Sequence, residues 1–140
     1  MERYIRHLWL AIFFMAAAQA QAAGIITSSC YNISSYQLSR WAAFPQEWTT
    51  QVSLHPVIDA NGYVRGYQID WLAPQSRITD LGLKKGDEII AVDGKSVYEI
   101  DEFMQRLTQL STQKEFVLDV VEGKDLRTIT YLVDSAVDCS

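Results

Sequence analysis

Residues 81–97, LGLKKGDEIIAVDGKSV, constrain this chain more than any other stretch. Gly82 closes a short helical segment that begins near Ser76, since glycine readily takes the left-handed geometry that ends a helix. Glu88 to Val92 is then an apolar run of strand length, and Asp93-Gly94 is a tight-turn dipeptide that starts the next strand.

The flanking segments extend the pattern. From Thr50 to Val57 apolar residues recur with period two at Val52, Leu54 and, past Pro56, Val57, which predicts a strand with one buried face. Pro56 cannot donate to a ladder, so this strand belongs at a sheet edge. Asp59-Ala60-Asn61-Gly62 supplies turn chemistry, Tyr63 to Trp71 returns as the second arm of a hairpin, and Ala73-Pro74 breaks it. Ile100, Phe103, Met104, Leu107 and Leu110 fall at helical spacing and predict a helix over Glu99 to Leu110. Its start is open between a capping box at Ser96 and Glu99 and a later cap at Asp101. Phe116, Leu118 and Val120 alternate, Gly123-Lys124 turns the chain, and Leu126, Ile129, Tyr131 and Val133 form the last strand. Upstream, Gly24 to Ser35 has no clear period and reads as an extended lead-in. A short helix capped by Ser35 follows through Tyr36 to Ala43 and ends at Pro45.

The length holds one domain of about 100 residues and a targeting segment. Met1 to Ala22 has a basic start at Arg3 and Arg6, an apolar run from Leu8 to Ala18, and small residues offering cleavage after Ala20 or Ala22. It reads as a secretory signal peptide. The competing reading, an uncleaved inner-membrane anchor, meets Gln19 and Gln21 too early for a span of about 20 apolar residues. Removing Arg3, Arg6 and Glu2 from 12 basic and 17 acidic residues leaves 10 and 16, a net of -6. Nucleic acid is a poor partner for such a chain, because phosphate binding needs clustered Lys and Arg. Cys30 and Cys139 are an even pair in an exported chain and are expected to form a disulfide worth about 4 to 5 kcal/mol by loop closure. The alternative is two free or intermolecular thiols. The sequon Asn32-Ile33-Ser34 has meaning only in a eukaryotic secretory pathway.

Catalytic chemistry is sparse. Beyond the leader there is one histidine, His55, which alone neither completes a metal site nor defines a triad. No serine lies in a G-x-S-x-G elbow, and no glycine pattern cradles a phosphate. The adjacent carboxylates Asp87-Glu88 and Asp101-Glu102 read as solvated turn and helix-start residues. No cofactor and no metal are expected.

The stretch 81–97 resembles the signature of a PDZ domain. With VSLHPVIDANGYVRGYQI before it and FMQRLTQLSTQKEFVLDVVEGKDLRTITY after it, the chain from Val52 to Val133 is similar to the periplasmic PDZ domain of type II secretion system protein C. The same order of elements occurs in PDZ domains of HtrA-type and membrane-embedded proteases. The resemblance implies an α+β fold: a small, partly open β-barrel or sandwich of five to six strands with one long and one short helix. It divides the chain into residues 1–22 (signal peptide), 23–49 (extension with a short helix), 50–134 (PDZ-like domain) and 135–140 (tail). It further implies a peptide- or protein-binding groove between an edge strand and the long helix, where main-chain pairing gives affinity and alternate side chains are seated. Val52, Leu54, Ile100, Met104 and Leu107 are the candidates to line that groove. For Phe103, Leu107 and Leu110 the helix pattern favours core, whereas for Ile100 and Met104 it fits core and groove equally.

The resemblance stops short in two places. Residues 23–50 are too short for the separate homology region that precedes the PDZ domain in secretion protein C, and Gln46 to Thr50 contains no glycine loop for a carboxylate. Capture of a free C-terminus and of an internal segment both stay open. The functional expectation is a non-catalytic periplasmic adaptor in a type II secretion-like or envelope complex. The alternatives are a regulatory or substrate-delivering partner of a periplasmic protease and a small hydrolase using His55.

Overall fold

The computed structural model describes residues 24–139; the proposed signal peptide lies outside them. Strands β1 (Ile26–Ile33), β2 (Val52–Ile58), β3 (Val64–Leu72), β4 (Glu88–Val92), β5 (Lys95–Ser96), β6 (Glu115–Glu122) and β7 (Asp125–Val133) join in one sheet of order β1-β7-β6-β4-β3-β2, with β5 paired to β4. Helices α1 (Ser35–Ala43), α2 (Gln46–Thr49) and α3 (Ile100–Leu110) and a 3-10 turn at Thr79–Leu81 complete an α+β architecture.

Local chemistry accounts for most elements. Both Asp93 and Gly94 have positive φ, 50° and 77°, the geometry of a two-residue hairpin loop whose twist matches its strands. Gly82, at φ 79°, caps the 3-10 turn in the left-handed region. Helix α3 lacks a side-chain cap at Glu99, so neither expected cap is used; Asp101 and Glu102 in its first turn complement the helix dipole instead. Helix α1 is capped by Ser34, whose hydroxyl accepts from the Gln37 N–H, and not by Ser35. Ser35 directs its own N–H and hydroxyl to Asp134.

The segment ahead of Thr50 departs most from expectation. In place of an extended lead-in, Ile26–Ile33 is a full strand running parallel to β7, from Ile26 opposite Leu126 to Ile33 opposite Val133. Two short helices follow it, and Leu38, Trp41 and Trp48 enter the core. The sheet therefore has seven strands where five to six were expected, and the short helix near Ser76 contracts to the turn at Thr79–Leu81. Cys30 and Cys139 are disulfide-bonded, with Cα atoms 5.3 Å apart. Asn32 reinforces the closure: its Nδ2 donates to Val137 O at 3.0 Å and its Oδ1 accepts from Cys139 N at 2.8 Å.

Tyr131 sits at the centre of the core, stacked on Phe116 with ring centroids 5.0 Å apart. Its hydroxyl donates to Leu81 O at 2.6 Å, and burial pushes its pKa up, so it stays a proton donor.

Candidate functional site

Strand β2 ends the sheet, bonded to β3 on one side only. Its free groups follow from alternation along the ladder. Ile69 donates its N–H to Asp87 O and accepts from Gly86 N, so both its groups point away from β2. Leu54 faces Ile69 across the ladder, whereas His55 faces Gln68 and Val57 faces Gly66. Gln51 accepts from Ala73 N. The groups of Gln51, Ser53, His55 and Val57 therefore serve the β3 ladder, and those of Val52, Leu54 and Pro56 point outward. Pro56 has no N–H, which is the placement a proline tolerates in a sheet. Past Val52, the free edge offers the Leu54 N–H and C=O and the Pro56 C=O.

The candidate groove residues divide into two groups. Val52 and Leu107 are core residues, 8 % and 5 % exposed. Leu54 and Met104 are half-buried against the core, and Ile100 is half-buried at the start of α3. Phe103 lies with them, and Leu110 is buried.

An apolar cavity of about 90 Å³ lies in the core, where Val52 and Leu54 of β2, Phe103 and Leu107 of α3, and Trp41 and Trp48 from the two helices upstream meet sheet residues such as Ile69 and Tyr131. Helix α1 packs on α3. The chain's own extension therefore fills one end of the space between β2 and α3. Composition alone hid this, because Trp41 and Trp48 sit in short helices with no long period to mark a buried face.

Two donors are left over at that end, the outward N–H of Val52 and the buried, unpartnered Nε1 of Trp48. The N–H groups of Glu47, Trp48, Thr49, Thr50 and Gln51 all bond to carbonyls of residues 44–48. No run of converging amides precedes β2.

The opposite end is open. The β2–β3 turn, β5 and the residues before α3 frame a cleft lined by Asp59, Tyr63, Arg65, Tyr98 and Glu99. Tyr63 and Tyr98 are exposed. Arg65 is committed to a two-pronged pair with Glu88, both bonds 2.9 Å, and Arg106 is paired with Glu102. Glu99 is exposed in the same cleft.

His55 has a partner that the sequence did not reveal. Its Nδ1 pairs with Asp70 Oδ1, and both side chains are about half exposed. Asp70 lies where the β2–β3 register shifts, a bulge that re-aims its side chain. Among the described residues, His55 receives no hydrogen bond from a hydroxyl or thiol, and no three His, Cys, Asp or Glu side chains converge as metal ligands.

No protein-family model matches the chain, and no curated protein does. Among solved structures it is similar to the PDZ domain of EpsC from Vibrio cholerae, at 20% identity over 69% of this chain and 91% of that one, with a TM-score of 0.48. It is similar to the PDZ domain of the pullulanase C protein of the type II secretion system from Klebsiella pneumoniae, solved in complex with fatty acid, at 24% identity over 69% and 98% and a TM-score of 0.46. A third is the HtrA3 PDZ domain bound to a phage-derived ligand, at 20% identity over 56% and 76% and a TM-score of 0.42.

Proposed function

We propose that residues 24–139 are a PDZ-like, non-catalytic module that binds an extended peptide or protein segment by strand addition to β2, beside α3. The observation that carries this reading is the outward-facing main chain of Leu54 and Pro56 on an edge strand, with Leu54 lining one apolar space together with Phe103 and Leu107 of α3. Unpaired main-chain groups on an edge are a template for a visiting strand. The leader sequence and the disulfide support a periplasmic setting, in a type II secretion-like or envelope complex.

The test is affinity capture from periplasmic extract with the mature chain, followed by hydrogen exchange on the complex. The Leu54 amide is expected to become protected on binding. Met104→Glu is expected to weaken capture at least about tenfold, because a carboxylate then replaces apolar contact. Unaltered capture by that variant, or an unprotected Leu54 amide in the complex, would remove the groove. A protease retained by the mature chain and lost with Met104→Glu would place the module with proteolysis instead of secretion.

A further inference from the structure

We infer that this groove takes an internal extended segment carrying a basic residue, and not a free C-terminus. The inference rests on the strand-addition reading and adds the class of ligand.

A segment pairing antiparallel to β2 runs its C-terminal end toward Val52. To hold a terminal carboxylate there, the protein must supply donors near the start of β2. The five N–H groups from Glu47 to Gln51 are spent on carbonyls of residues 44–48, and the space beside them is walled by the apolar Trp48, Trp41 and Leu107. What is left near the start of β2 is the single outward N–H of Val52, since the unpartnered Nε1 of Trp48 is buried, so no cluster of amides converges to replace the water a carboxylate would lose there. Main-chain pairing with Leu54 and Pro56 needs no chain end.

Charge decides the rest of the ligand. Asp59 and Glu99 line the cleft at the open end of the groove, with the exposed rings of Tyr63 and Tyr98 beside them. The two arginines nearby, Arg65 and Arg106, are already matched to Glu88 and Glu102. Carboxylates interleaved with aromatic faces attract a Lys or Arg side chain and repel an acidic one. The occupant is thus an internal, strand-forming segment of a partner protein with a basic residue toward its N-terminal side.

Two phage libraries of random dodecapeptides separate the possibilities, one displayed with free C-termini and one fused to coat protein at its C-terminal end. Enrichment is expected from the fused library, with Lys or Arg recurring on the N-terminal side. A synthetic winner is expected to bind equally, within about twofold, as its C-terminal acid or amide. The variant Glu99→Gln, at a residue whose side chain makes no capping bond, is expected to weaken that peptide about threefold while leaving the melting temperature in place. Enrichment from the free-C-terminus library alone, or a tenfold preference for the acid, overturns the inference and leaves strand addition standing. Winners without basic residues overturn the charge assignment. Enrichment from neither library overturns both this inference and the groove itself.

Discussion

The Nη2 of Arg127 lies 2.6 Å from the Oδ2 of Asp87, a residue with no solvent exposure. The same oxygen accepts the Lys84 N–H at 3.0 Å, while Glu122 lies 3.6 Å from Arg127 Nη1 and also pairs with Lys84. This cluster ties the turn before β4 to the β6–β7 hairpin. Asp87 Oδ1 and Arg127 Nε have no partner within it, so the pair has little left to compensate a loss. Arg127→Leu leaves a buried carboxylate unmatched and is expected to cost about 3 to 5 kcal/mol in urea denaturation at neutral pH. Asp87→Asn keeps an oxygen for Lys84 and leaves Glu122 near Arg127, so it is expected to cost less. The reverse order would show that the carboxylate is not held by this pair.

Gly82 is fixed by two separate demands. Its φ of 79° is unfavourable for any side chain, and a Cβ there would come within 2.5 Å of the Tyr31 ring. Gly82→Ala therefore carries a backbone cost of about 1 to 2 kcal/mol plus a clash. In a Tyr31→Ala background only the backbone cost should remain. A double-mutant cycle by thermal denaturation reads the difference, and equal costs in both backgrounds would mean that Tyr31 does not press on this turn.

Why Gly82 was legible and β1 was not is a matter of where the information lies. Gly82, the Asp93-Gly94 turn, the edge placement of Pro56 and the stripe of α3 are local: residue type and spacing carry them within a few positions. β1 depends on β7, about a hundred residues away, and its Thr27, Ser28 and Ser29, the first two exposed and the third half-buried, have no apolar period of their own. Trp41 and Trp48 are large apolar residues in short helices, where no sequence spacing says which wall they complete. The His55–Asp70 pair depends on a register shift that side-chain alternation does not predict. Of the five candidate groove residues, Val52 and Leu54 lie on β2 and Ile100, Met104 and Leu107 on α3. Which of them face a ligand depends on what the extension covers, and that is a tertiary fact.

Asp134 links the end of β7 to the start of α1 and makes stability pH-dependent. Hydrogen bonds from the Ser35 hydroxyl and N–H hold its carboxyl below the ordinary value of 3.8. A folded pKa below the unfolded one means that the contribution is complete above the unfolded value. It is lost as pH falls through the folded one. The stability gap between the wild type and Asp134→Asn should accordingly be constant near neutrality and close as pH drops below 3.8. Melting curves from about pH 7 to about pH 2 check this, and a gap that persists undiminished at the acid end would assign it to packing.

The resemblance to a known recognition fold begins at Val52, yet the core does not. Leu38 is 1 % exposed and Trp41 and Trp48 are each 7 % exposed, packed in one cluster with Val52, Leu107 and Tyr131. Trp41→Ala should cost about 3 to 5 kcal/mol, since the cavity already beside it shows that neighbours do not close in fully. Removing the whole extension is a stronger test. A chain of residues 51–140 loses all three of these side chains, uncovers the outer edge of β7 and leaves Cys139 without Cys30. It is expected to keep much of its far-UV circular dichroism and lose its near-UV signal, the behaviour of a collapsed state without fixed packing. Residues 24–140 should show both signals. If the shorter chain instead unfolds cooperatively within about 1 kcal/mol of the longer one, the extension is an appendage. The blind end of the groove would then be removable.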